Sequence, residues 1–237
     1  LGYNGFDVLE DGYGINLRPL SMFAERVYRD DPCTCFLPQI LDKNIYDAVD
    51  PKLAAKMHKA IAVIQFKVEG QIIKRRPEFH MDERTHITAI DFEKGTVSIR
   101  GKDYKMLDMD LPTVDPKDPL KLTKEEEELV HNLCMSFKHS STLHRHIRFI
   151  YSHGGMYKCC NSNLLYHGCI PMKENGEFDE LNLNGIIYSG KRLLDYIEDA
   201  VKMAYFLPED DASKEWYQDF MWYLWCGPKS PVYGKDN

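Results

Sequence analysis

The sequence predicts a helix-rich fold of mixed α/β or α+β class, and three patterns carry this prediction. Apolar residues recur every three to four positions over residues 51–75, which is the period of an amphipathic helix. Between about residues 84 and 107 the period changes to two, with turn-forming residues between the runs, as expected of a small β-meander. A short apolar run, residues 163–168, has no helical period and predicts a buried strand.

The first half of the chain contains three predicted helices. Apolar spacing predicts one over residues 15–29, and a short one is expected at about residues 36–45. The long helix follows. Asp50 is a natural N-cap, Pro51 suits the first turn, and Pro77 stops the helix after about Arg75.

The second half is predicted to be mainly helical. Thr123 and Glu126 have the spacing of a capping box, and the apolar face that follows extends to Gly154, which predicts one long helix. Apolar spacing predicts another helix over residues 191–206. The last helix opens at Ser213 and is aromatic on nearly every side.

Composition excludes several classes of protein. The chain has 237 residues and a net charge of −7, so nothing favours a nucleic acid as partner. No apolar run approaches the roughly 20 residues that span a bilayer, and the acidic, Gly-rich opening is unlike a signal peptide. Seven cysteines at irregular spacing, without CxxC pairs, indicate reduced thiols in a cytoplasmic protein.

His167 and Gly168, at the end of the predicted strand 163–168, form the most suggestive site. Ligands of open α/β sheets bind beyond the carboxyl ends of the strands, where a histidine can meet a metal and a glycine allows close approach. The alternative is a strand-end histidine that is hydrogen-bonded to a neighbour, and the motif alone favours this alternative.

A second candidate site is the loop that follows the aromatic helix. It contains Lys229, Ser230 and Lys235 among glycines and prolines, and such a loop can surround an anion with ammonium groups and backbone N–H donors. The alternative is an ordinary turn with solvated lysines, which composition alone favours. Arg75 and Arg76, at the end of the long helix, are explained by the helix dipole without any substrate.

Four strings together resemble class III fructose-1,6-bisphosphatase, a family of the calcineurin-like metallophosphatases. They are the opening NGFDVLEDGYGINLRPL, RRPEF (75–79), LLYHGCIP (164–171) and WYLWCGPKSPVYGKD (222–236). The resemblance covers essentially the whole chain. It implies gluconeogenic hydrolysis of the 1-phosphate of fructose 1,6-bisphosphate by a metal-activated water, in an α/β sandwich that holds two metal ions, commonly manganese.

The resemblance also assigns individual residues. LLYHGCIP is similar to the strand-end loop that supplies a metal ligand, which is His167 here, and Lys229, Lys235 and Ser230 are the residues expected to hold a substrate phosphate. The loops GDxxDRG, GNHD and the closing GH are missing, because no glycine here is followed by Asp, Asn-His or His. We therefore expect an internal fragment that neither binds manganese stoichiometrically nor hydrolyses phosphate on its own.

Three segments are expected. Residues 1–50 form an N-terminal helical part of the phosphatase core, 51–150 a helical insertion with the meander, and 151–237 a partial core. A homo-oligomer is possible. The competing hypothesis is a non-catalytic helical interaction module whose exposed aromatic helix binds a partner protein.

Overall fold

The computed structural model describes residue 1 and residues 5–39 and 50–233. The chain folds into two compact units. The N-terminal unit comprises Leu1–Lys74 and Asp82–Arg145, and the C-terminal unit comprises Arg75–Met81 and His146–Asn237. Helices dominate and the sheets are small, so the predicted helix-rich mixed class is confirmed.

The described residues form six α-helices, seven short strands and several single turns. The helices are α1 (Arg18–Val27), α2 (Pro51–Arg75), α3 (Lys124–His139), α4 (Ser141–His153), α5 (Gly190–Phe206) and α6 (Lys214–Cys226). The strands are β1 (Ile90–Asp91), β2 (Thr96–Ile99), β3 (Lys102–Lys105), β4 (Tyr157–Cys160), β5 (Asn163–Tyr166), β6 (Glu180–Leu183) and β7 (Ile186–Ser189). A π-helical turn (Val8–Gly12) and 3-10 turns (Thr34–Phe36, Pro77–Phe79, Asp82–Arg84 and His86–Ala89) lie between them.

The long helix α2 begins and ends where the sequence predicts. The Asp50 carboxylate accepts a hydrogen bond from the Lys52 N–H at 3.0 Å, which satisfies one of the open donors of the first turn. At the other end, Pro77 opens a 3-10 turn directly after Arg75 and Arg76. The apolar side of α2 packs with α1 and α3 around Leu20, Phe23, Ala55, Ala60, Leu129 and Leu133.

The predicted meander is confirmed as an antiparallel sheet in the order β1-β2-β3. It starts later than predicted, because Ile87 and Ala89 lie in a 3-10 turn and not in a strand. Two apolar residues separated by one position fit an extended strand and a tight turn equally well. The predicted short helix at 36–45 is only a 3-10 turn up to Phe36, and most of that prediction lies outside the described residues.

The capping box of Thr123 and Glu126 is confirmed, but the helix that it opens is shorter than predicted. It ends at His139, because Ser140 leaves the helical conformation. The Ser140 hydroxyl donates to the Tyr13 carbonyl at 2.6 Å and accepts from the Leu143 N–H at 3.3 Å, so the same residue caps the next helix. The prediction of one helix was therefore wrong, and a serine in an N-cap position was the signal for two.

Two lysines of α2 are buried in the N-terminal unit and neutralised there. Lys59 contacts the carboxylates of Asp31 and Asp108, and its side chain is 1% exposed. Lys67 is fully buried and donates to Glu126 at 2.7 Å and to the Thr113 carbonyl at 2.6 Å. Such buried charges cost several kcal/mol when a partner is removed, so these contacts fix α2 against the segments that supply their acceptors.

The pair of Lys59 and Asp31 should make the stability of the fold sensitive to acid. Burial raises the pKa of Asp31, but hydrogen bonds from Lys59 and from the Cys33 N–H outweigh it, and the net pKa lies below the ordinary 3.8. A lowered pKa stabilises the fold above the unfolded-state value, and the stabilisation is lost as the pH falls through the folded-state value.

We expect Asp31→Asn to flatten the loss of stability below about pH 4, since the asparagine does not titrate. Urea unfolding midpoints of the wild type and the variant between pH 6 and pH 2.5 measure this difference. The neighbouring Asp30 is exposed and provides the control. Asp30→Asn should show the same pH dependence of the urea unfolding midpoint as the wild type. Parallel profiles for Asp31→Asn and the wild type would contradict the prediction.

The C-terminal unit contains two antiparallel hairpins, β4–β5 and β6–β7. Each has two central turn residues with positive φ, Asn161-Ser162 in the first and Asn184-Gly185 in the second, as in type I′ turns. Strands β4, β6 and β7 were not predicted from the sequence, although the Asn-Gly pair between β6 and β7 is a strong hairpin signal. Strand β5 was correctly predicted as a strand, but the prediction that it is buried was wrong. Successive side chains of a strand point to opposite faces, and Leu164, Leu165 and Tyr166 are all exposed, so the described residues cover neither face of this hairpin.

Helices α5 and α6 form the core of the C-terminal unit, and both are confirmed predictions. Leu193 and Ile197 of α5 and Phe220 and Tyr223 of α6 are buried, and Phe79 lies against the α6 rings with centroids 5.0–6.4 Å away. No helix within the described ranges is long and apolar enough to cross a membrane.

Candidate functional site

The strand-end histidine lies at the end of an exposed hairpin. His167 follows the last residue of β5 and is itself exposed, and Gly168 has a φ of +80°. This left-handed conformation favours glycine and turns the chain sharply out of the hairpin. The setting differs from the expected edge of an open α/β sheet, since β4 and β5 form a two-stranded sheet among the described residues.

The loop after α6 is shaped by its own hydrogen bonds. The Ser230 hydroxyl is buried, donates to the Leu224 carbonyl at 2.6 Å and accepts from the Val232 N–H at 3.3 Å. The Lys229 N–H donates to the hydroxyl of Tyr223 at 3.3 Å, and burial raises the pKa of Tyr223 to about 12. Ser230 therefore holds the loop in shape, and its predicted contact with a phosphate stays a prediction.

The structure brings these two predicted sites together. The Cys169 N–H donates to the Pro231 carbonyl at 2.8 Å, and a Cβ on Gly168 would lie 2.2 Å from that same oxygen. The backbone of the His167-Gly168 turn thus lies directly against the loop of Lys229 and Ser230. Only a residue without a side chain permits this approach.

Lys229 is held by two acceptors. Its ammonium donates to the Asp179 carboxylate at 3.0 Å and to the Glu180 carbonyl at 2.9 Å. The Glu180 N–H and then the Lys229 ammonium hold the pKa of Asp179 below its usual range. An ammonium has three donors, so within the described segments one donor of Lys229 remains for another acceptor. Its side chain is 42% exposed.

Asp179 was not predicted from the sequence as a site residue. It directly follows Phe178, which forms an isolated β-bridge with Met172, and it directly precedes Glu180, the first residue of β6. Its N–H donates to the Pro171 carbonyl at 2.9 Å. The sequence carries no motif around it. An aspartate 50 positions from its lysine could have been paired with it only through the fold.

The arginines at the end of α2 have a partner beyond the helix dipole. Arg75 donates two hydrogen bonds to Asp219 of α6, at 2.6 and 2.8 Å, and Arg76 donates a third at 2.7 Å. The Asp219 side chain is 4% exposed, so this paired carboxylate fastens the RRPEF segment to α6. Its contribution is structural.

No metal site is complete within the described residues: they bring together no group of three or more His, Cys, Asp or Glu side chains that could hold an ion. His167 supplies one exposed imidazole, and a single imidazole does not fit the needs of a bound manganese ion. The metal site as a whole therefore stays a prediction. Lys235, the remaining predicted phosphate ligand, lies outside the described residues.

Comparison with known proteins places the whole chain in one group. A family model described as Firmicute fructose-1,6-bisphosphatase matches residues 1–237. The chain is 51% identical over 235 residues to a protein of Clostridium novyi named fructose-1,6-bisphosphatase class 3, covering 99% of this chain and 35% of the relative. Proteins with the same name from Clostridium tetani and Alkaliphilus metalliredigens are 52% and 51% identical, with 99% of this chain and 35% and 36% of the relatives covered. The chain thus spans about a third of the length of these relatives, and no solved structure matches it.

Proposed function

The chain belongs to the family of Firmicute, or class 3, fructose-1,6-bisphosphatases, and from this we propose that it is part of a gluconeogenic sugar-phosphate phosphatase. The reaction is hydrolysis of the 1-phosphate of D-fructose 1,6-bisphosphate to fructose 6-phosphate and phosphate. The observation that carries the proposal is the match of the family over all 237 residues. The chain spans about a third of its relatives, so the activity is assigned to the longer protein.

Within that enzyme, the C-terminal unit contributes an anion-binding edge. Lys229 presents an ammonium that two protein acceptors already orient, and one N–H is left for a substrate phosphate. A charge-assisted hydrogen bond from such a group is stronger than one between neutral groups. We assign Lys229 to the substrate phosphate, and Lys235 to the same role from the resemblance alone.

His167 is proposed as one ligand of a manganese ion whose other ligands come from parts of the longer protein that lack counterparts here. When bound, such an ion stabilises charge on the reacting phosphate. The residues of this chain provide the imidazole, and the left-handed Gly168 beside it lets the neighbouring loop approach. A calcineurin-like sandwich, with residues 51–150 as an insertion, is proposed on the resemblance.

The proposal is tested by comparing the full-length protein with this chain alone. With added manganese, we expect the full-length protein to release phosphate from fructose 1,6-bisphosphate, and this chain to release none above a manganese-only blank. One imidazole cannot bind the ion specifically at useful strength. Turnover by the isolated chain that tracks manganese would show that the chain carries its own metal site. A full-length protein that is folded but silent on this substrate would overturn the proposed function.

The competing interaction-module hypothesis loses its main support. It required an exposed aromatic helix, and α6 buries Phe220 and Tyr223 and leaves Trp225 as its clearly exposed aromatic residue. All seven cysteines are free, as the reducing cytoplasm would keep them, and we propose that location for the enzyme. A homo-oligomer stays a prediction.

A further inference from the structure

We infer that Asp179 is a positioning residue for substrate binding, acting through Lys229; the inference rests on the proposed function. The feature concerned is the ion pair of Asp179 and Lys229, 50 positions apart in the sequence, beside the His167-Gly168 turn. Asp179 does not itself meet the substrate. It holds the Lys229 ammonium in a defined position, with one donor left for the phosphate.

The Asp179 carboxylate is itself fixed in position. Asp179 accepts the Glu180 N–H at 2.8 Å, and its own N–H donates to the Pro171 carbonyl at 2.9 Å. The backbone therefore fixes both the main chain and the carboxylate of Asp179. A lysine side chain has four flexible torsions, so an ordered acceptor is what gives its ammonium a defined position.

Lys229 and the His167-Gly168 turn are connected through a set of backbone hydrogen bonds. Pro171, which accepts from Asp179, lies four positions after His167 in the sequence. Cys169, between them, donates to Pro231, two positions after Lys229. The turn, the Asp179 segment and the Lys229 loop are thus linked by backbone hydrogen bonds, and the ammonium is placed relative to the turn and not merely relative to bulk solvent.

The charge of Asp179 allows two opposite roles. A carboxylate beside an anionic substrate opposes binding, so Asp179 could act as a competitor for Lys229 rather than as its guide. The Glu180 carbonyl favours the positioning role, because it accepts a second N–H of Lys229 at 2.9 Å, so two of the three donors are bound to the protein and one is left. A phosphate can therefore bind without displacing the carboxylate, and the kinetic test below separates positioning from repulsion.

The test uses steady-state kinetics of the full-length protein with fructose 1,6-bisphosphate and manganese. We expect Lys229→Met to raise KM about tenfold, the value of one charge-assisted hydrogen bond. Asp179→Ala should raise KM by about three- to tenfold with kcat within about twofold of the wild type. The double variant should have a KM no higher than that of Lys229→Met alone, because the two residues act through one ammonium.

Two further variants separate positioning from general damage. Asp179→Asn retains an oxygen acceptor at the same place, so its KM should stay within about twofold of the wild type. Glu125→Ala removes an exposed carboxylate that pairs with Arg26 at 2.6 Å, and it should change neither constant. Thermal unfolding midpoints identify any variant that loses its fold.

Three kinetic results would contradict the positioning role of Asp179. A KM that falls in Asp179→Ala would overturn the inference, because the carboxylate would then be a competitor. So would an unchanged KM, or effects of Asp179→Ala and Lys229→Met that multiply in the double variant. Each of these results requires an active wild type, whereas failure of the proposed function appears as a wild type without activity on this substrate.

Discussion

Replacing Lys67 by methionine is expected to lower the free energy of unfolding by about 3–5 kcal/mol. The Lys67 ammonium is fully buried, and it donates to Glu126 at 2.7 Å and to the Thr113 carbonyl at 2.6 Å. The Glu126 side chain is 1% exposed, so the substitution strands a carboxylate away from water. A methionine fills most of the lysine volume and leaves the cost mainly electrostatic.

Urea titration of the wild type and the variant, followed by circular dichroism, measures the difference. The second variant, Lys67→Met with Glu126→Gln, should recover most of the loss, because the amide still accepts from the Thr123 N–H but carries no charge. The control Lys94→Met breaks an exposed pair with Asp91 and should leave the midpoint unchanged. A double variant as unstable as the single one would show that the stranded carboxylate is not the cause.

Replacing Gly168 by alanine should lower kcat/KM of the full-length enzyme about 100-fold, the effect of moving a site by about 1 Å. The added Cβ would lie 2.2 Å from the Pro231 carbonyl oxygen, so the turn and the Lys229 loop must separate. The φ of +80° adds a strain of about 1–3 kcal/mol for a residue with a side chain. Phosphate release measured over a range of substrate concentrations gives kcat/KM.

Gly176→Ala is the matched control for this substitution. Gly176 has a φ of +84°, and a Cβ built there meets no atom within 4 Å. It therefore shares the backbone strain and lacks the collision. If both variants lose the same small amount of activity, the close approach of Gly168 to Pro231 does not matter for catalysis, and the convergence of the two motifs loses its functional meaning.

Local signals allowed most of the helices to be predicted. The ends of α2 follow from Asp50 and Pro77, and the start of α3 from Thr123 and Glu126, since a cap satisfies backbone groups within a few residues. Ser140 shows the limit of this approach. Apolar spacing runs on through it and hides the weaker signal of a serine in an N-cap position, while the contact of its hydroxyl with Tyr13, 127 positions away, is beyond any local pattern.

The sequence points to His167 and Lys229 as candidate site residues, but not to the contacts that bring them together. His167 and Lys229 stand in strings specific enough to be identified by resemblance. Their proximity depends on the packing of Gly168 against Pro231, and the orientation of Lys229 depends on Asp179, which no motif marks. The prediction that β5 is buried was wrong, because an apolar run shows that a strand is suited to burial. It does not show whether another sheet or helix packs against that strand.

The contact between Gly168 and Pro231 also bears on the order in which the C-terminal unit folds. Its hairpins close through two-residue turns, and such local contacts form within microseconds. The Cys169 thiol and the Ser230 carbonyl, by contrast, are 61 positions apart, so joining them closes a long loop and costs more chain entropy. We therefore expect the turn of His167 to meet the lysine loop after the local hairpins have closed. In a growing polypeptide, this contact cannot form until the residues between Cys169 and Ser230 have all been synthesised, whereas each hairpin can close as soon as its own strands are complete.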